Sequence, residues 1–224
     1  MQGTGILFSE MTPPPGREAA FHGWYDQEHI PVRMAVPGFL SGQRYRDTAE
    51  GAAGFLAVYE MADLAVLKTP AYGEVKNRPS DVTRTMLASV TGFTRYLGVE
   101  TSVRRQGLAG GSALDAPLLY AVWFDVPQER LADFDAWYET DHVPLLMECS
   151  EWRMVRRFAV TQGEPGPFNR LALHYLADRS ALSSEARERA RGTPWRARLA
   201  VEPWFRGTYK VFERHGPRLT GRVA

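Results

Sequence analysis

The chain has 224 residues, and its 27 Lys and Arg balance 26 Asp and Glu to a formal charge of +1. With basic residues spread along the chain and almost all of them arginine, nothing favours nucleic acid or an anionic membrane surface as a partner. No apolar run approaches the roughly 18 residues of a membrane span. The lone Cys149 rules out an intrachain disulfide, and the absence of a leader-like start predicts a cytoplasmic protein.

In chain order, Gly5 to Met11 reads as a short apolar strand that Pro13-Pro14-Pro15-Gly16 stops. From Glu18 the apolar residues Phe21, Trp24 and Tyr25 fall at helical spacing. Phe39 to Arg46 and Gly54 to Glu60 alternate as strands around the turn-prone Asp47 to Ala53. A helical region follows at about Asp63 to Ser89, interrupted near Pro70 and Pro79, and a strand at Gly92 to Glu100 closes the unit. Gln106 to Asp115, rich in glycine and small residues, reads as a linker.

The same order then returns. Pro117 to Val126 is a strand, Leu131, Phe134, Trp137 and Tyr138 mark a helix, and Trp152 to Val160 and Arg170 to Tyr175 are strands around the Gly163 to Pro167 turn. A helical region from about Asp178 to Val201 breaks at Pro194, and Phe205 to Glu213 is the last strand. Phe21, Trp24, Tyr25, His29 and Pro31 recur at one constant offset as Phe134, Trp137, Tyr138, His142 and Pro144, so the chain is a duplication. The predicted boundaries are 1–105 for the first unit, 106–115 for the linker, 116–216 for the second unit and 217–224 for a C-terminal tail.

Strand, helix, strand, strand, helix, strand is the ferredoxin-like βαββαβ unit, an antiparallel sheet with both helices on one face. One such sheet leaves its other face bare, so a second copy packed against it would cover the apolar surface and leave a barrel-like cavity. The predicted fold class is therefore α+β: two ferredoxin-like units with antiparallel sheets packed as a pseudo-dimeric α+β barrel.

The stretch WYDQEHIPVRMAVPGF, Trp24 to Phe39, resembles the signature of the dimeric alpha+beta barrel superfamily, particularly its EthD-like branch, here in a tandem, fused form. WYETDHVPLLMECSEW is a weaker copy, in which Cys149-Ser150-Glu151 replaces Val36-Pro37-Gly38. The resemblance implies a choice among cofactor-free monooxygenases, isomerases, polyketide cyclases and dehydratases, haem enzymes and proteins without assigned activity. Fold alone does not choose among these. It also leaves open a homodimer of the fused pair.

Pro31 and Pro144 disfavour helix at the residue before them, which predicts that His29 and His142 sit at or near a helix end. There, unpaired carbonyls favour imidazolium, and an acid three residues earlier shares its face: Asp26 for His29, Glu139 for His142. A carboxylate-held histidine beside an aromatic wall is a candidate general acid or base. Tyr25 and Tyr138 would supply a hydroxyl or a stacking face, and Trp24 and Trp137 the apolar lining. Arg44 and Arg157 correspond on the next strand, to hold a substrate carboxylate or phenolate or to pair with an acid at a sheet edge. Tyr59 aligns with His174, one proton-transfer side chain exchanged for another. His22 and His215 have no counterparts and read as surface residues. No HxxxH, CxxC, calcium-loop or GxSxG pattern occurs, so no metal is expected.

The leading expectation is a cofactor-independent enzyme using a histidine acid/base on a small, apolar, aromatic or polyketide-like molecule, for dehydration, isomerisation or lyase chemistry. The alternatives are an oxygenase of the same fold, cofactor-free or haem-dependent with His174 or a paired histidine as axial ligand, and a non-catalytic small-molecule binding protein.

Overall fold

The structure, a computed structural model, describes residues 3–107 and 111–221. Part of the expected linker, 108–110, and the end of the expected tail, 222–224, lie outside the described residues.

The first half runs β1 (Gly5–Met11), α1 (Glu18–Trp24), a π turn (Tyr25–His29), α2 (Ile30–Met34), β2 (Phe39–Asp47), β3 (Phe55–Met61), α3 (Pro70–Asn77), α4 (Asp81–Ser89) and β4 (Arg95–Arg105). The second repeats it as β5 (Leu118–Phe124), α5 (Leu131–Trp137), a π turn (Tyr138–His142), α6 (Val143–Leu146), β6 (Trp152–Glu164), β7 (Arg170–Leu176), α7 (Glu185–Arg191), α8 (Pro194–Ala200) and β8 (Thr208–Thr220). The predicted break near Pro79 is real, and Ser80 caps the helix that follows it by accepting from the Thr83 amide. Pro70 starts a helix instead of interrupting one, because its missing N–H costs nothing in a first turn.

Three strands are longer than their sequence pattern. β4 is shifted to Arg95–Arg105, β6 continues to Glu164 into the expected turn, and β8 runs to Thr220 into the expected tail. Their extra lengths find partners that periodicity does not reveal. Thr161 Oγ1 donates to the Leu97 carbonyl, and the Gly221 amide to that of Leu40.

Two compact units result. In the first, residues 3–99, 161–165 and 215–221, β1 lies between β3 and β4, and β2 pairs on the far side of β3, all antiparallel. In the second, residues 100–160 and 166–214 apart from the undescribed 108–110, β5 lies between β7 and β8, with β6 beyond β7. Each unit is thus a four-stranded antiparallel sheet with helices on one face, the ferredoxin-like half of the predicted α+β class.

Within each unit the helices cover one sheet face. In the first, Leu7, Met11, Phe55, Ala57, Tyr59 and Met61 alternate toward Phe21, Trp24, Tyr25, Ile30 and Met34 in one core. β1 and β3 are buried at every position, so their other faces are dry as well.

The helix does not end at the histidine. From Trp24 through Ile30 the backbone stays right-handed helical, and α2 takes Pro31 in its first turn. Proline lacks an N–H and its ring crowds the carbonyl four residues back; the wider π turn gives that ring room and the helix continues. The second unit does the same with Pro144.

The turn from α2 into β2 depends on Gly38, whose φ is +95° and whose added Cβ would sit 2.4 Å from a Val66 methyl. Gly38→Ala is expected to cost about 1–3 kcal/mol in urea or thermal unfolding. Its counterpart Glu151 has no such backbone, so Glu151→Ala is expected to stay within about 0.5 kcal/mol.

Candidate functional site

Each unit holds a cavity walled by its sheet and helices. That of the first unit has a volume of about 720 Å³ and that of the second about 130 Å³. Ligand pockets for small organic molecules span roughly 300–1,000 Å³, which only the first satisfies.

The first cavity is walled by Leu7, Ser9 and Met11 of β1, Tyr59 of β3, and Tyr25, His29 and Arg33 of the π turn and α2. Val32, Leu87 and Phe93 give its wall further apolar surface and are themselves partly exposed. His29 is buried, its ring 4.2 Å from that of Trp24 and 4.8 Å from that of Tyr25 between centroids. Burial, and then the positive charges of Arg33 and Arg44, hold its pKa well below the ordinary histidine value, so it is neutral at physiological pH.

Two residues lining this cavity carry a buried polar atom without a hydrogen-bond partner, His29 Nδ1 and Arg33 Nε, and the buried Tyr59 hydroxyl interacts with that of Tyr25. Such partnerless atoms are costly unless something pairs with them. Arg33 donates one bond to the His29 carbonyl at 2.9 Å, and its guanidinium lies 5.6 Å from the centre of the Tyr59 ring. Glu28 is tied elsewhere. It accepts from Ser80 and, at 2.5 Å, from Thr83, whose oxygen in turn accepts from the Trp24 indole at 2.9 Å.

The acid partners expected for the histidines are not there. Asp26 pairs with Arg44 at 2.8 Å, and Glu139 lies 3.2 Å from Arg104 and 3.9 Å from Arg157. The π turn alters the angular spacing on which the three-residue rule rests, and guanidinium groups reached from other strands capture both carboxylates. Nor is there a free helix end at either histidine, so no unpaired terminal carbonyls favour its cation.

Arg44 and Arg157 are structural clamps. Arg44 is buried, donates to Asp26 and to His22 Nδ1 at 2.7 Å, and lies 4.5 Å from the centre of the Tyr25 ring. Arg157 bonds Asp135 and lies 4.6 Å from the Tyr138 ring. Neither lines its unit's larger cavity. His22 is not a plain surface residue either: it stacks on His215 with centroids 4.6 Å apart.

Tyr59 and His174 occupy equivalent ladder positions, opposite Leu7 and Gly42 in one unit and Tyr120 and Val155 in the other. Their surroundings differ. His174 is buried, and Trp152 Nε1, which can only donate, gives its proton to His174 Nδ1 at 3.0 Å. The remaining ring proton is then on Nε2, which bonds the Tyr138 oxygen at 2.9 Å. In the first unit Phe39, which has no N–H to donate, replaces Trp152 beside Tyr59, and the Tyr59 hydroxyl interacts with that of Tyr25. His142, unlike His29, donates from Nδ1 to the Ala190 carbonyl at 3.2 Å, and burial lowers its pKa to about 4.

Arg33 was not singled out from sequence, although it lies one helical turn after His29 and its second-unit counterpart is Leu146. Among the described residues no cluster of three or more His, Cys, Asp or Glu could hold a metal ion, and no helix is long and apolar enough to cross a membrane.

No protein-family profile and no curated protein matches the sequence. Solved structures do. An anthrone oxidase-like protein superposes with a TM-score of 0.67 at 13% identity, covering 96% of this chain and 92% of its own. A monooxygenase-titled protein of Fusobacterium nucleatum gives 0.62 at 11%, covering 96% and 94%. A structure titled as a chlorite dismutase gives 0.54 at 15%, covering 95% and 96%. At such identities the similarity shows the fold: this chain has the dimeric α+β barrel fold.

His29, His142 and His174 are all held neutral by burial, with pKa values below those of the unfolded chain. As pH falls below about 6.5 the unfolded state takes up protons that the folded state refuses, so stability present at pH 7 is lost toward the folded values. For His142 alone, lowered to about 4, the loss between pH 7 and 5 is about 2 kcal/mol. Urea unfolding is expected to show a loss of several kcal/mol over that interval; a flat profile would contradict the neutral assignments.

Proposed function

We propose that the first unit's cavity is the site of a cofactor-independent enzyme that removes a proton from a small, largely apolar, aromatic or polyketide-like molecule, and that the resulting anion is oxidised by O₂. The observation that carries this reading is a buried neutral histidine, His29, lining a cavity of about 720 Å³ together with Tyr25, Arg33 and Tyr59. An aromatic ligand with hydroxyl or carbonyl groups matches a cavity of largely apolar wall with a few polar side chains.

Neutral imidazole can accept a proton, and the cations that keep it neutral also favour negative charge in the cavity. An imidazolium formed alone beside Arg33 and Arg44 would be costly. Formed together with a delocalised substrate anion, it is compensated, and Arg33, one turn after His29, is a cavity-lining cation for that anion. An activated methylene that loses its proton to His29 and an electron to O₂, recombines and expels water gives a carbonyl: R₂CH₂ + O₂ → R₂C=O + H₂O. The proton held by His29 leaves with that water. Similarity to proteins titled anthrone oxidase-like and monooxygenase supports oxidation over dehydration, isomerisation or lyase chemistry, which would use the same base without consuming oxygen.

The residues do not suit haem. His174 has both ring nitrogens engaged, and His142 lines a cavity of only about 130 Å³. His29 has the room, but its Nδ1 lacks the acceptor that normally fixes a metal-bound histidine ring.

With a hydroxylated anthrone as probe and an oxygen electrode as readout, His29→Ala is expected to lower kcat/KM by about 10²-fold or more, while His142→Ala keeps most activity. The acid limb of the kcat/KM profile is expected well below pH 6.5, following His29. Full turnover by His29→Ala contradicts the assignment, and binding of the probe with neither oxygen uptake nor conversion identifies a binding protein.

A further inference from the structure

The second unit's cavity is too small for the molecule proposed for the first, and its lining is chemically different. Arg187 and Arg191 of α7 and Arg196 of α8 reach it, together with Tyr120, Tyr138, His142 and Tyr209. None of the three arginines has an ion pair with an acid among the described residues. Arg187 donates to the Leu182 carbonyl at 2.9 Å and Arg196 to the Arg191 carbonyl at 3.3 Å. Arg189 on the same helix shows the contrast: it points to Glu148, at 2.5 Å.

Three like charges around one small cavity repel one another unless an anion joins them. Their mutual effect is visible: desolvation first, then Arg191 and Arg187, lower the pKa of Arg196, and all three guanidinium groups help to lower that of His142. The equivalent region of the first unit keeps only one of the three cations, with Lys76 opposite Arg191. Matching the helix caps Thr69 with Ser184 and Ser80 with Thr193 places Tyr72 and Thr83, both lining the first cavity, opposite Arg187 and Arg196.

The hydroxyl of Tyr138 is free to serve the same end. Because His174 Nε2–H donates to its oxygen, the phenolic proton is left to donate elsewhere, and Tyr138 lines this cavity. Burial keeps that phenol protonated by raising its pKa. The site thus offers guanidinium and hydroxyl donors around a space of about 130 Å³, roughly the share of four water molecules in the liquid.

We propose that the second unit is a binding site for a phosphate-class oxyanion, held by Arg187, Arg191 and Arg196 with Tyr138 as hydroxyl donor. The shared chemistry is that of free phosphate and of the end group of a phosphate monoester. His142, whose Nδ1 proton is committed to the Ala190 carbonyl, presents Nε2 as a lone pair when neutral and as a donor when protonated. Anion binding therefore favours its protonation.

The test is calorimetric titration of the full chain with inorganic phosphate and with phenyl phosphate, at constant ionic strength set with chloride. Saturable binding of either supports the site; inorganic phosphate alone marks a free-ion site, and tighter phenyl phosphate a monoester site. Arg196→Gln and Arg187→Gln are each expected to weaken binding at least about tenfold, while Arg189→Gln does not. Phosphate is also expected to raise the His142 titration seen by NMR. Because Arg196→Gln could disturb packing, its far-UV circular dichroism and urea midpoint are read alongside. No binding beyond chloride by the wild-type chain, or unchanged affinity in both folded cavity variants, overturns the proposal. The first-unit activity assay is independent of either result.

Discussion

A proline two residues after a histidine, inside a helix that does not stop, governs this molecule. At Pro31 and at Pro144 the chain widens into a π turn and continues, so one element carries an aromatic pair, a histidine and the next turn of helix past one cavity. A helix that ended there would have set the histidine against unpaired carbonyls and favoured its cation. Continuing, it buries the histidine against Trp24 and Tyr25 and brings Arg33 round one turn later. Burial and guanidinium charge then act in one direction, toward neutral imidazole and an anion-favouring space.

Duplication gave two such spaces, and a few substitutions made them unequal. Trp152 with His174, in place of Phe39 with Tyr59, closes a hydrogen-bonded chain through Tyr138 and accompanies a smaller cavity. The first unit keeps its cavity large. Arginines in place of Tyr72 and Thr83 then give the smaller space its own electrostatic character.

The fold was legible in the sequence because its signals are local. The alternation of β1, β2 and β3, the aromatic stripe of α1 and the constant offset between the halves each show in a short window. The correspondence of His29 with His142 was legible through the repeat, and so was that of Tyr59 with His174. The partners of Asp26 and Glu139 were not. Each carboxylate is claimed by an arginine on another strand, Arg44 or Arg104, so the helical-face rule lost to tertiary contacts. The same competition removed Arg44 and Arg157 from the ligand-binding set. Arg33 was within reach of a local argument, since it follows His29 by one turn and its counterpart is Leu146. The cavity volumes depend on how Trp152 and its neighbours pack, which no sequence window contains.

The central claim is that His29 is a buried neutral base. Titration of its ring nitrogens by ¹⁵N NMR in the full chain, with His29→Gln to assign the signal, tests it directly. The account predicts a neutral imidazole from pH 8 down past 6.5, with protonation only well below that value. An imidazolium at pH 7 would contradict it.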